Sequence, residues 1–241
     1  MNILAFDTSA QAAGVCVLNE NRILSEFTVN NRLTHSQTIM PMCQSALSCA
    51  HLTLQEIDAF AVSVGPGSFT GLRIGVSAVK GLAEALKKPC IPVSTLEGLA
   101  YNLTPVFGII CCVMDARCGQ VYNALFRSNG SQTPQRLTED RAVSIKELGV
   151  DLGKFDENIF LVGDGADLCY NELRESNPQI RAVSPHLKLQ RASSVGLAAQ
   201  AAANEGKCCS AAELMPVYLR LPQAERELLK KQTIKKESET K

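Results

Sequence analysis

Along the first thirty residues the apolar positions come in short blocks, NILAFDTS, AGVCVLN and RILSEFTV, divided by QA and NEN. Blocks of this length, rich in β-branched and aliphatic residues and separated by turn-forming polar residues, predict three strands in an antiparallel meander. At LTHSQTIMPMCQSALSCAHL the period changes: Ile39, Cys43, Ala46, Leu47 and Ala50 share one helical face, with Thr34 placed as N-cap. Pro41 inside that helix removes a backbone hydrogen bond and predicts a kink, serving either packing or function. IDAFAVSVG predicts a buried strand, FTGLRIGVSAVKGLAEALKK a second helix, KPCIPVS a further strand and TLEGLAYNL a short helix. Near residue 104 the pattern restarts. FGIICCVMDAR and GQVYNALFR predict a hairpin, NIFLVGDGADL a strand running into a helix, and RASSVGLAAQAAANEG an Ala-rich helix ended by Gly206. Two halves that each open on antiparallel strands and continue with helix and strand predict an α/β protein of two related lobes, residues 1–104 and 105–222. From Gln223 the chain is polar and charged, which predicts a frayed tail at 223–241.

Composition narrows the function classes. With 24 Lys and Arg against 24 Asp and Glu the chain is formally neutral, unlike a free-standing nucleic-acid binder; joining a complex whose other members supply basic surface stays open. No apolar run reaches the roughly 18–20 residues that span a membrane. The opening MNILAFDTSAQ meets Asp7 before any long apolar core, so a cytoplasmic protein without a signal peptide is expected. The ten cysteines include no CxxC pair, and the vicinal pairs Cys111-Cys112 and Cys208-Cys209 lack metal-ligand spacing. Most sit among apolar neighbours, which predicts reduced thiols acting as small hydrophobes.

The stretch SVGPGSFTGLRIG at 63–75 invites comparison with phosphate loops. A Walker A loop needs GxxxxGK[ST], but Gly65 and Gly71 are too far apart and no lysine follows. A dinucleotide loop needs GxGxxG, but Thr70 occupies the last position. The structural reading accounts for more residues: Gly65, Pro66 and Gly67 turn the chain out of a strand, and Ser68 or Thr70 caps the helix. Beyond them Gly71, Gly75 and Ala78 form a small-residue stripe. Each interior glycine costs about 1 kcal/mol of helix propensity relative to alanine, so a close neighbour is expected, either the protein's own sheet or a partner chain.

Catalytic candidates are few. His35, His51 and His186 form neither HxxxH nor HExxH, and no GxSxG elbow occurs. Two strand-ending acids remain, Asp7 in FDTS and Asp115 in MDAR, with GDGA at 163–166 as a third spot. Such acids either hold a metal–nucleotide complex in a cleft between lobes or cap turns.

FDTS, LTHSQTIMP, VGPGSFTGLRIGVSAVKGLA, DARCGQVY and MPVYLR together resemble the bacterial TsaB (YeaZ) family of tRNA threonylcarbamoyladenosine biosynthesis proteins, over nearly the whole chain. The resemblance implies an actin-like ATPase-domain (ASKHA) fold, with two lobes built on related mixed sheets flanked by helices. It implies a non-catalytic activating or scaffold subunit, which pairs with the catalytic paralogue TsaD and is joined by a small ATPase, TsaE. The threonylcarbamoyl group is then transferred to the adenosine beside the anticodon of tRNAs reading ANN codons, with tRNA met only through the complex. In that family TsaD carries a metal-binding HxxxH; here His35 is followed four residues on by Ile39, so no metal pair forms. The implied partner surface comprises the helices near residues 33–50 and 69–86, with His35, Met42, Gly67, Gly71, Arg73, Gly75 and Ala78 as interface candidates. The same surface pairs two copies when TsaD is missing. No cofactor is expected on the chain by itself, and ATP or ADP is assigned to the interface of the assembled complex. Asp7, Thr8, Ser9 and Asp115 then mark a vestigial cleft. The alternative is an independent actin-like ATPase or phosphotransferase using Asp7 and Asp115. A peptidase lacks both a nucleophile and a metal site.

Overall fold

The computed structural model describes residues 1–31 and 33–220; the charged tail expected at 223–241 lies outside them. The meander forms as the pattern predicts: β1 (Asn2–Asp7), β2 (Ala13–Asn19) and β3 (Arg22–Val29) pair antiparallel in sequence. From β3 the chain crosses through α1 (His35–Ala50) to β4 (Ala59–Gly65), then through α2 (Phe69–Leu86) to β5 (Cys90–Ser94). These crossovers make β1, β4 and β5 parallel neighbours, giving the order β3-β2-β1-β4-β5. Leu4, Phe6, Val15 and Val62 face α1 and α2, which supply Ile39, Cys43, Leu47, Val76 and Val79. The alternate residues Ile3, Ala5, Cys16 and Ala61 face the other way into a second apolar layer. Burial on both faces is why these strands read as nearly continuous apolar runs.

A second sheet follows α3 (Thr95–Tyr101). The long hairpin of β6 (Phe107–Arg117) and β7 (Gln120–Asn129) is flanked by β8 (Gln135–Arg136) and β9 (Arg141–Ser144) on β7. On the other side β10 (Ile159–Val162) and β11 (Ile180–Ala182) extend β6 in parallel. One face is covered by α4 (Ile145–Leu152) and α5 (Ala166–Leu173), packed on Ile109, Cys111, Val113 and Leu125. Leu96, Leu99 and Ala100 of α3 cover the other face, between the two sheets.

The expected division at residue 104 does not hold the later chain to the second sheet. After the short α6 (Pro185–Lys188), α7 (Ala192–Asn204) returns to the first sheet and packs Val195, Ala198 and Ala199 on Ile3, Ala5 and Ile91. Residues 209–217 follow it back, with Ala211 and Leu214 buried in the first core and Val217 N–H donating to the Val64 carbonyl at 2.7 Å. An Ala-rich helix can lie close to a sheet: Ala192 stands 3.1 Å from where a Cβ on Gly14 would be.

Glu26 on β3 caps this returning helix. Its carboxylate accepts from the Ser193 N–H at 3.0 Å and hydroxyl at 2.6 Å, and from the Arg191 guanidinium. Burial alone would raise Glu26, but the donors of Arg191 and Ser193 outweigh it and hold the carboxyl below its ordinary value. A depressed carboxyl stabilises the fold above its unfolded pKa and loses that contribution as pH falls through the folded value. Glu26→Gln is therefore expected to lower stability by about 1–2 kcal/mol at neutral pH. In urea titrations the gap between variant and parent should narrow below about pH 4.

Candidate functional site

The end of β1 and the start of α2 meet with almost no side chain between them. Ser68 caps α2, its hydroxyl accepting from Gly71 N–H at 3.2 Å, while its own N–H donates to the Ser9 carbonyl at 2.7 Å. A Cβ on Gly67 would overlap the Ser9 carbonyl oxygen, one on Gly71 the Thr8 carbonyl oxygen, and one on Gly75 the Thr8 hydroxyl. Thr8 Oγ1 donates to the Gly71 carbonyl at 2.7 Å, closing the contact. The glycines serve this close approach.

Beside that contact a cleft of about 500 Å³ opens between the sheets. Its walls come from Ser9–Gln11, Pro66–Phe69, Met114–Arg117, Tyr122, Asp164 and the segment Val217–Arg220. Of the expected acids, Asp115 lines the cleft, but one oxygen accepts from the Arg117 N–H at 2.7 Å and the other stands 3.4 Å from the Arg117 guanidinium. Asp7 does not line it. Fully buried, Asp7 accepts from Ser9 N–H at 2.8 Å, Ser9 hydroxyl at 2.7 Å and Ser63 hydroxyl at 2.7 Å. Burial nonetheless raises Asp7 above the usual carboxylate value. Turn-capping thus occupies both expected acids. Asp164, an exposed residue in the GDGA turn before α5, shares the cleft. Partial desolvation at the cleft wall, with the Asp115 charge nearby, pushes its carboxyl up. Arg220 spans the cleft by donating to the Ala116 carbonyl at 2.8 Å. Among the described residues no three His, Cys, Asp or Glu side chains gather to hold a metal ion.

The outer faces of α1 and α2 form a different surface. Between them runs an apolar groove of about 530 Å³ lined by Ser36, Ile39, Met40, Phe69, Thr70, Arg73, Ile74, Ser77 and Ala78. Met40 is 43% exposed there, and Leu33 at the head of α1 is 54% exposed. The Arg73 guanidinium lies 3.9 Å over the Phe69 ring and donates through Nε to the Tyr218 hydroxyl at 3.1 Å. Tyr218 in turn stacks on Phe69, with ring centroids 4.8 Å apart.

The expected interface residues therefore divide. Arg73 and Ala78 line the groove. His35 is half-buried and turns to the β1–β2 turn, its Nε2 lying 2.7 Å from the Ala10 carbonyl. Met42 is buried in the protein's own core, since the helical turn carries it to the face opposite Met40. Gly67, Gly71 and Gly75 face Thr8 and Ser9, so the stripe belongs to internal packing and only Ala78 opens outward. Met40, Phe69, Ile74 and Ser77 were missed; their spacing on α1 and α2 carried the signal, once the glycine stripe is recognised as the inner face.

Comparison with known proteins follows this geometry. Residues 22–228 match the family described as TsaD: tRNA N6-adenosine threonylcarbamoyltransferase. The tRNA threonylcarbamoyladenosine biosynthesis protein TsaB of Haemophilus influenzae is 31% identical over 231 residues, covering 91% of this chain and 94% of that one. This chain belongs to the TsaB family. The TsaB protein of Bacillus subtilis is 34% identical over 168 residues, covering 70% of this chain and 73% of its own. A Pseudomonas aeruginosa crystal structure, of an uncharacterized protein with similarity to peptidase YEAZ, superposes with a TM-score of 0.80 at 28% identity, covering 91% and 99% of the two chains. The family's actin-like ATPase-domain fold is the arrangement of two sheets around a cleft described above.

Gly71→Ala gains about 1 kcal/mol of helix propensity but displaces the Thr8 carbonyl, and a net loss of about 2 kcal/mol is expected in urea unfolding. Gly81 on the same helix has nothing within 4 Å of an added Cβ, so Gly81→Ala is expected to stabilise by about 0.5–1 kcal/mol.

Proposed function

We propose that this chain is the non-catalytic activating subunit of a cytoplasmic tRNA threonylcarbamoyladenosine-forming assembly. It pairs with a TsaD-type catalytic paralogue through the groove between α1 and α2, and a TsaE-type ATPase joins the pair. The observation that carries this reading is the apolar groove itself, with Met40, Phe69, Ile74 and Ala78 presented to solvent beside Arg73. Apolar and aromatic residues ringed by polar ones, with an arginine at hand, are the usual composition of an interface core. The same groove pairs two copies of this chain when the catalytic paralogue is absent, its apolar lining serving either partner, with Arg73 held on Phe69 and Tyr218 of its own chain.

The commitment of both expected acids supports the absence of chemistry on this subunit. Asp7 spends its oxygens on Ser9 and Ser63, and Asp115 on Arg117. At His35 the paired histidine of the catalytic paralogue is replaced by buried Ile39, and the remaining imidazole holds the Ala10 carbonyl. Nucleotide, in this reading, belongs to the interface of the assembled complex, and tRNA is met only through that complex. The cleft around Asp115 and Asp164 favours one alternative, an independent actin-like ATPase or phosphotransferase.

A reconstituted mixture of catalytic paralogue, ATPase, threonylcarbamoyl-AMP, ATP and tRNA separates the two. Modification should depend on this chain, and Ala78→Arg should reduce it by about 30-fold or more while leaving the chain's own thermal unfolding unchanged. Equal modification with and without the chain would overturn the reading. ATP turnover by the purified chain alone, abolished by Asp115→Asn or Asp7→Asn, would establish the alternative.

A further inference from the structure

The outer edge of β5 carries one isolated antiparallel bridge, and it joins two cysteines. Cys90 N–H donates to the Cys209 carbonyl and Cys209 N–H to the Cys90 carbonyl, both at 2.9 Å. Residues that exchange both hydrogen bonds lie directly opposite, with side chains on the same face and Cα atoms about 5.5 Å apart. That Cα separation falls inside the range a disulfide spans, about 4.4–6.8 Å, and closing the bond also draws the two Cβ atoms to about 3.8 Å, nearer than a hydrogen-bonded pair holds them. Both side chains belong to the same apolar cluster, Cys90 within it and Cys209 at its margin. Both thiols are free in the structure.

Cys209 also begins the segment that straps the cleft. After it, Lys80 donates to the carbonyls of Ala212 at 3.2 Å and Leu214 at 3.1 Å, Val217 joins β4, Tyr218 stacks on Phe69, and Arg220 reaches Ala116. We propose that Cys90 and Cys209 form a reversible disulfide that locks this strap to the edge of the first sheet, with a small-molecule disulfide such as oxidised glutathione as oxidant. Cys209, partly exposed, is reached first: its sulfur displaces one thiol from the oxidant and forms a mixed disulfide. Cys90 Sγ then attacks the Cys209 sulfur, the bond to the small molecule breaks, and the second thiol leaves with the proton that Cys90 gives up. Two protein thiols are oxidised and one small-molecule disulfide is reduced to two thiols. Burial raises Cys90 to about 11 and also raises Cys209, which keeps both as thiols near neutral pH and makes the exchange slow rather than incidental.

The test is incubation of the full chain with oxidised glutathione and, in parallel, with dithiothreitol, followed by non-reducing peptide mapping and thermal unfolding. A Cys90 peptide linked to the peptide containing Cys209 is expected, with two thiols lost. Closing a loop of roughly 120 residues should raise Tm by about 5–10 °C, reversed by dithiothreitol. The linkage should survive in Cys208→Ser and vanish in Cys209→Ser, a near-isosteric substitution at a partly exposed site on the margin of the core. A bond confined to Cys208 and Cys209, a mixed disulfide that persists, or linkage of Cys90 in the Cys209→Ser variant would overturn the proposal.

Discussion

Everything distinctive in this molecule depends on the close seating of α2 against the β1–β2 turn. Gly67, Gly71 and Gly75 bring helix backbone against Thr8 and Ser9, and Thr8 Oγ1 and Ser68 N–H lock the approach. The two helical glycines seated here, Gly71 and Gly75, give up about 2 kcal/mol of propensity, so the contact must return at least that much. The seating decides two things together. It draws the polar groups at the end of β1 into internal hydrogen bonds, and it rolls Phe69, Thr70, Arg73 and Ala78 outward beside Met40. An inner face without side chains thus sets the outer face that meets solvent.

The cleft is organised by the same elements. One wall is the seated turn, another the β6–β7 hairpin with Asp115 and Tyr122, and the 217–220 segment runs between them. Tyr218 leans on Phe69 at the groove while Arg220 holds the Ala116 carbonyl across the cleft. The strap therefore touches both the cleft and the α1–α2 surface. The Glu26 cap on α7 and the Cys90–Cys209 bridge fix the two returns of the late chain to the first sheet.

Much of this was legible in the sequence. The meander, both crossover helices and the β6–β7 hairpin follow from changes of apolar period, because those elements bury one or both faces. β8, β9 and β11 were not seen, since strands of two to four residues such as Arg141–Ser144 are too short to show alternation. The helix α4 escaped although Ser144 and Glu147 form a capping box, a signal that lay in the sequence. The return of α7 could not be read: a run such as GLAAQAAAN fits many apolar surfaces, and its partner is set by tertiary packing. The site was half legible. Spacing identified Gly71 and Gly75 as small for a reason, but their direction depends on where Thr8 lies in three dimensions, and this sent Met42 and the glycines to the wrong face.

The most direct test of the account is hydrogen–deuterium exchange of the chain with and without its TsaD-type paralogue. Slowed exchange across 35–50 and 69–86, with 109–129 unchanged, is the predicted result if the outer face of α1 and α2 is the pairing surface, as proposed. Protection confined to the second sheet, with α1 and α2 exchanging as in the free chain, would contradict it.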